Sequence, residues 1–200
     1  MYEAILAAAI PAAGWVAHAA LLHRRLNAER HDPISGLWDR RTWMRRADRL
    51  IRQRRVNTVI LCDLDGFKPV NDTFGHDAGD AALKATGARL ADYIEHHGGA
   101  HTVCSRLGGD EFAVAATTND LETFTSGLAR ALAQPVPWPG GPLKFTASVG
   151  AIRIADLPQP SASTALGAAD VRMYEVKGRG RRGRRTLPRR LSALLTGRAV

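Results

Sequence analysis

Residues 58–62, Thr58-Val59-Ile60-Leu61-Cys62, form a short unbroken apolar run that stops abruptly at Asp63-Leu64-Asp65-Gly66. Such a run, with no polar alternation, is the pattern of a strand buried on both faces. The sheet that contains it therefore needs helices on each side, and the surrounding sequence supplies them. Residues 39–54 place Trp43, Ala47, Leu50 and Ile51 at helical spacing with arginines elsewhere. Residues 79–97 read as a long helix with Ala82, Leu83, Leu90 and Ile94 on its apolar side, and residues 121–134 and 163–176 read as two more. Strands are expected over 102–107 and 111–116, joined by Gly108-Gly109-Asp110 as a hairpin, and over 144–154. The interleaving predicts one α/β (α+β) domain, a central mixed sheet flanked by helices in a ferredoxin-like arrangement.

The chain has 45% hydrophobic and 24% charged residues, a globular balance with ample material for one core. Its formal charge of +9 would suggest a nucleic-acid binder if it were spread over the fold. Residues 178–200, however, hold eight of the 28 basic residues and no acid, so the excess reads as a property of the tail. Nucleic acid is accordingly not expected as a partner. Cys62 and Cys104 each sit in a strand-like run and read as small buried hydrophobes.

Residues 4–22 form an apolar run with His23-Arg24-Arg25 directly after it and no basic residue before it. As a helix it would span about 28 Å, near the thickness of a bilayer core. The expectation is an N-terminal anchor that leaves the rest of the chain on the cytoplasmic side, at the inner face of the cell membrane. A soluble helix packing on a second copy is the alternative. Leucines interleave with arginines in the tail, which suits a second contact with anionic lipid. The division expected is residues 1–31 as helix and connector, 32–182 as the functional domain and 183–200 as a basic tail.

Three constellations carry chemistry. Asp63 and Asp65 leave the buried strand on one face, where a carboxylate is placed to hold a hard cation. Gly66 lets backbone N–H groups approach a phosphate, and Lys68 adds a positive charge. The glycine turn presents Asp110 and Glu111; beside the end of the 58–62 strand, Asp110 and Asp63 could share metal ions. Asn71 and Asp80 flank a stretch able to read guanine, the amide addressing its ring acceptors and the carboxylate its N–H donors. For Asp80 alone, a helix N-cap is the simpler role.

These residues fall in blocks that together resemble the GGDEF family of diguanylate cyclases. Asp32-Pro-Ile-Ser-Gly-Leu-Trp-Asp-Arg-Arg41 is similar to the family's D-x-L-T-G-L-x-N-R-R opening, with Ile34, Ser35 and Asp39 as departures. Leu61–Leu83 resembles its D-x-D-x-F-K-x-x-N-D-x-x-G-H-x-x-G-D-x-x-L block, and Arg106-Leu-Gly-Gly-Asp-Glu-Phe112 carries its signature. Thr146–Gly150 and Ala169–Arg181 resemble the late T-x-S-x-G strand and the A-D-x-A-[ML]-Y-x-A-K-x-x-G-R helix. The resemblance implies a palm-type cyclase fold that converts GTP to cyclic di-GMP as a homodimer, with two Mg2+ per site (Mn2+ as a substitute). It implies metal ligation by Asp63, the Leu64 carbonyl and Asp110. It gives guanine to Asn71 and Asp80, and the triphosphate to Gly66, Phe67, Lys68, Lys177 and Arg181. Lys68 would also offset transition-state charge, and Asp110 or Glu111 would assist deprotonation of the 3′-hydroxyl. Many relatives carry an R-x-x-D product-inhibition site; its positions here are Gly99 and Thr102, so inhibition through it is expected to be absent.

Overall fold

The computed structural model describes Trp15, His18 and residues 30–180, with side chains as far as Lys177 in the last helix. The chain enters as a turn closed by Asp32 N–H donating to the Leu37 carbonyl at 2.8 Å. Helix α1 (Arg40–Arg52) follows, capped by Asp39, whose carboxylate accepts from the Thr42 N–H at 2.6 Å. Next come β1 (Thr58–Asp65), α2 (Phe67–Phe74), α3 (His76–His97), β2 (Val103–Gly108), β3 (Glu111–Ala116), α4 (Leu121–Leu132), β4 (Thr146–Arg153), a 3-10 turn (Ile154–Asp156) and α5 (Ala162–Gly180).

The strands form one sheet in the order β2-β3-β1-β4. All three pairings between the four strands are antiparallel, and the one parallel contact among the described residues is an isolated bridge from Trp38 to Ser105, so the sheet is antiparallel rather than the expected mixed one, within the same α+β class. The apolar run sits at its centre, as its composition requires. On one face Ile60, Cys62, Leu64, Phe112 and Val114 pack with α3 and α4; on the other Val59, Leu61, Ala113 and Ala115 pack with Trp43 of α1 and Ala169 and Met173 of α5. Both cysteines are buried and free, and burial pushes each thiol up to about 12.

Two local differences from the sequence reading have simple causes. Helix α2 has only eight residues, too few to show a period, and it holds Pro69, which is tolerated within a first turn. Gly66 at φ 81° and Gly75 at φ 84° mark its two ends in conformations closed to other residues at little cost. Helix α3 starts at His76 rather than at Gly79, so Asp80 lies inside it and is not the N-cap. No helix among the described residues is long and apolar enough to cross a membrane. The expected N-terminal helix over 4–22 and the tail over 183–200, with Arg181, fall outside the described residues, Trp15 and His18 excepted.

Candidate active site

The antiparallel register brings the two acidic constellations together. Asp63 on β1 stands directly opposite Glu111 on β3, and the Leu64 N–H donates to the Asp110 carbonyl at 3.2 Å. The turn between β2 and β3 needs backbone angles that favour glycine, φ 142° at Gly108 and φ 55° at Gly109. Arg106 fixes that turn. Its Nε donates to the Gly109 carbonyl at 2.8 Å, and its Nη1 donates to both Asp32 oxygens at 3.1 Å. The D-x-x-x-G opening and the glycine hairpin, 74 residues apart, are thus one unit.

Lys177 of α5 points at the same corner. Its Nζ lies 2.5 Å from Asp63 Oδ1, and the two side chains are only 31% and 18% exposed. The expected phosphate-holding lysine therefore rests on the expected metal ligand. Burial and the neighbouring Asp63 charge raise the Asp110 carboxyl above its usual range, against the opposing pull of Lys177 and Arg106. Glu111 is raised by burial, then by Asp63, Asp170 and Asp110, with Arg40 opposing. This corner holds more negative charge than its own cations neutralise, so it favours an added cation. Among the described residues no three His, Cys, Asp or Glu side chains could hold a metal by themselves. A Mg2+ site usually takes one or two carboxylates and completes its shell with water and substrate phosphates, and Asp63, Asp110 and the Leu64 carbonyl fit that smaller set.

Across β1, on the α2–α3 side, Gly66 opens α2, with Phe67 half-buried and Lys68 exposed on its first turn. Lys68 Nζ pairs with Asp72 at 3.3 Å across one helical turn. The Asn71 side chain lies against α3 so closely that a Cβ on Gly79 would sit 1.9 Å from Asn71 Oδ1. That places Asn71 beside the turn that carries the exposed Asp80, on the opposite side of β1 from Lys177.

Of the two carboxylates expected at the strand exit, Asp65 accepts from the Ser148 hydroxyl at 2.7 Å and from the Thr146 hydroxyl at 2.9 Å, so it ties β4 to β1 and is occupied by structure rather than offered to a cation. The structure also brings in two residues to which the sequence gives no individual role. Arg40, Asp170 and Glu111 line a cleft of about 290 Å³ with Met44, Leu61, Leu107 and Leu166 between α1 and α5. Arg40 falls in the opening block and Asp170 in the last; only the fold shows that they meet at Glu111.

An antiparallel palm-type sheet that carries Asp110 and Glu111 at a glycine hairpin, with Asp63 opposite Glu111, defines a nucleotidyl cyclase-type domain. Residues 29–183 match the family described as diguanylate cyclase, GGDEF domain. The chain belongs to that family. It is 47% identical over 88% of its length to an uncharacterized 19.3 kDa protein of Streptomyces ambofaciens, of which it covers 93%. It is 32% identical to the Escherichia coli diguanylate cyclase DgcN over 74% of this chain and 36% of that protein. Among solved structures, a sensory box/GGDEF family protein from Caulobacter crescentus superposes with a TM-score of 0.66 at 32% identity, covering 76% of this chain and 99% of the other. The chain thus spans little more than a third of DgcN and nearly all of the Streptomyces protein.

Proposed function

We propose that this chain condenses two GTP molecules into cyclic di-GMP with release of two pyrophosphates. Each domain of a homodimer would present one GTP to the other, because one domain offers one guanine pair and one acidic hairpin. The observation that carries this reading is the hairpin tip, where Asp110 and Glu111 share an under-neutralised corner with Asp63.

Asn71 and Asp80 bind the base, the amide on its ring acceptors and the carboxylate on N1–H and N2–H. The Gly66 and Phe67 amides, Lys68, Lys177 and Arg181 hold the triphosphate. Asp63, the Leu64 carbonyl and Asp110 hold Mg2+, or Mn2+ in its place, which when bound supplies Lewis-acid stabilisation of the transferring phosphoryl group. Asp110 or Glu111 takes the proton from the 3′-hydroxyl of one GTP. The 3′-oxygen then bonds to the α-phosphorus of the other, and pyrophosphate leaves. A second round, with the roles exchanged, closes the ring. Lys68 leaves Asp72 to meet charge growing on the phosphoryl oxygens; such chemistry is mainly positioning and electrostatics. With Gly99 and Thr102 at the R-x-x-D positions, product does not inhibit through that site. The domain works in the cytosol, held at the inner face of the membrane by residues 4–22.

The test is full-length protein with GTP and Mg2+, followed by chromatography of the nucleotides. Cyclic di-GMP whose rate rises steeply with protein concentration, and which vanishes in Asp63→Ala and Asp110→Ala, is the expected result. Near-normal turnover in either variant would overturn the metal assignment, and a pure dimer silent with GTP and Mg2+ would overturn the cyclase reading.

A further inference from the structure

Helix α1 buries Trp43, Ala47, Leu50 and Ile51 against the sheet. On its other side Arg41, Arg45, Arg49 and Arg52 recur at intervals of four, four and three, and all four are exposed. At 100° per residue they form one narrow stripe about 17 Å long. Exposed Arg54 and Arg55 follow directly beyond its end. The ion pairs among the described residues are Lys68–Asp72, His96–Asp92, Arg106–Asp32, Arg172–Glu175 and Lys177–Asp63, and none includes an α1 arginine. The helix has one acid, Asp48, and its Oδ1 is engaged by the Ala162 N–H at 2.7 Å, at the start of α5. Burial, then the charges of Arg49 and Arg30, lower the neighbouring Arg46 guanidinium, so positive charge on this helix meets positive charge.

Like charges at a spacing of four oppose helix formation. An amphipathic helix that keeps its outer face all arginine, where glutamate would be stabilising, is suited to an anion outside the molecule. We propose that the α1 stripe is a docking surface for the anionic headgroups of a lipid bilayer. The inference stands independently of the catalytic reading. Two features favour lipid over nucleic acid. Trp43 is fully buried, and Trp38 is covered by the Arg46 guanidinium at 3.9 Å, so no aromatic ring on this face is free to stack on a base. The chain also enters beside the stripe, since Asp39 N–H donates to the Arg30 carbonyl at 2.8 Å. At most about 28 Å of chain separates that point from Leu22, the end of the nineteen-residue apolar run. Charge counted along the sequence places the basic excess in residues 178–200; folding α1 aligns four further arginines on one exposed face.

The experiment measures partition of the full chain onto vesicles, in the dilute linear regime so that contributions from other segments cancel in the ratio. The vesicles are pure phosphatidylcholine, or phosphatidylcholine with about 30 mol% phosphatidylglycerol to supply a negative surface potential. A basic residue near such a surface is worth about fivefold in partition, so R45Q/R49Q should bind anionic vesicles about 25-fold more weakly than the parent. Neutral vesicles should show no difference, R45K/R49K should restore binding, and the melting temperature of R45Q/R49Q should not fall, because both side chains are solvent-exposed and their mutual repulsion is relieved. Equal partition of R45Q/R49Q and parent onto anionic vesicles overturns the proposal. So does an equal loss on neutral vesicles. A short DNA duplex that binds the parent but not R45Q/R49Q, with vesicle binding unaltered, also overturns it and assigns the stripe to nucleic acid.

Discussion

Gly79→Ala separates the guanine-reading role proposed for Asn71 from the stability of the fold. Gly79 lies within the first turn of α3 with an ordinary helical backbone, so alanine is compatible with it and favours the helix by up to about 1 kcal/mol. The new Cβ would fall 1.9 Å from Asn71 Oδ1 and 2.9 Å from its Cγ, far inside the roughly 3.5 Å at which such atoms pack. No other residue is among its three nearest contacts, and all three atoms belong to the Asn71 amide. A short side chain can rotate away, so the collision displaces the Asn71 amide and leaves the backbone in place. Asn71 would then lose one or two hydrogen bonds to guanine, about 1–3 kcal/mol, which corresponds to a KM for GTP raised roughly 5- to 150-fold. Thermal melting should show equal or higher stability, and discrimination against ATP should shrink with the rise in KM. A well-folded G79A enzyme with parental KM and discrimination would refute the reasoning, because it would mean that the Asn71 amide is not read by the base.

Gly150→Ala tests the opposite case: its Cβ would meet the Ala169 carbonyl and the Met173 N–H, both at 2.2 Å, which are backbone atoms of α5 and cannot swing aside. A loss of about 3 kcal/mol, or failure to fold, is expected in denaturant titration, and a loss under 0.5 kcal/mol would show that α5 is not seated there. Burial alone would raise the Asp32 carboxyl, but the Ser35 and Arg106 hydrogen bonds outweigh it and hold it below the usual carboxylate range. Its contribution to stability is therefore present above the unfolded value near pH 4 and lost as pH falls through the folded one. Asp32→Asn should cost about 2–3 kcal/mol at neutral pH and remove this part of the acid sensitivity; an identical stability–pH curve would count against the Asp32–Arg106 unit. Replacing Lys177 by methionine removes the cation 2.5 Å from Asp63, so Mn2+ should bind the nucleotide-free protein about tenfold or more tightly by titration while KM for GTP rises. Unchanged Mn2+ affinity would place the ion away from Asp63.

The parts of this molecule visible in the sequence are those set by local periodicity. Strand β1 was legible because both of its faces are buried, which leaves no polar position to break the run. Helix α1 was legible through the spacing of Trp43, Ala47, Leu50 and Ile51. The eight-residue α2 was not, since Lys68-Pro69 and Asn71-Asp72 conceal a helix whose single buried residue is Val70. Asp80 suited an N-cap by residue type, yet Gly75 turns the chain into α3 five residues earlier. Among the site residues, Asp63, Asp110 and Glu111 could be named from their motifs, and the hairpin register does bring them together. The pairings of Asp32 with Arg106 and of Asp65 with Ser148 join residues 74 and 83 positions apart, and no period or motif spacing encodes a contact of that kind.

Strand parity explains why the site divides as it does. Residues of one parity on β1, Val59 and Leu61, face α1 and α5, and the other parity, Ile60, Cys62 and Leu64, faces α3 and α4. Asp63 continues the first series beyond the end of the core. Its carboxylate therefore meets Lys177 of α5, and Glu111, its direct partner on β3, meets Asp170 of the same helix. Leu64 continues the second series as a core residue with 1% exposure, which fixes the height of β1 against α3 and the level at which its backbone meets Asp110. Gly66 then reverses the chain into α2, and Asn71 arrives against α3 on the other side of the strand. The side that carries Asn71 and Asp80 and the side on which Asp63 meets Lys177 are thus held apart by one strand whose two faces are locked in separate cores. A one-residue slip of β1 would put Leu64 in place of Asp63 opposite Glu111 and expose Ile60, Cys62 and Leu64 to the wrong helices at once. The two cores that stabilise the sheet are therefore also what set the register of the acids.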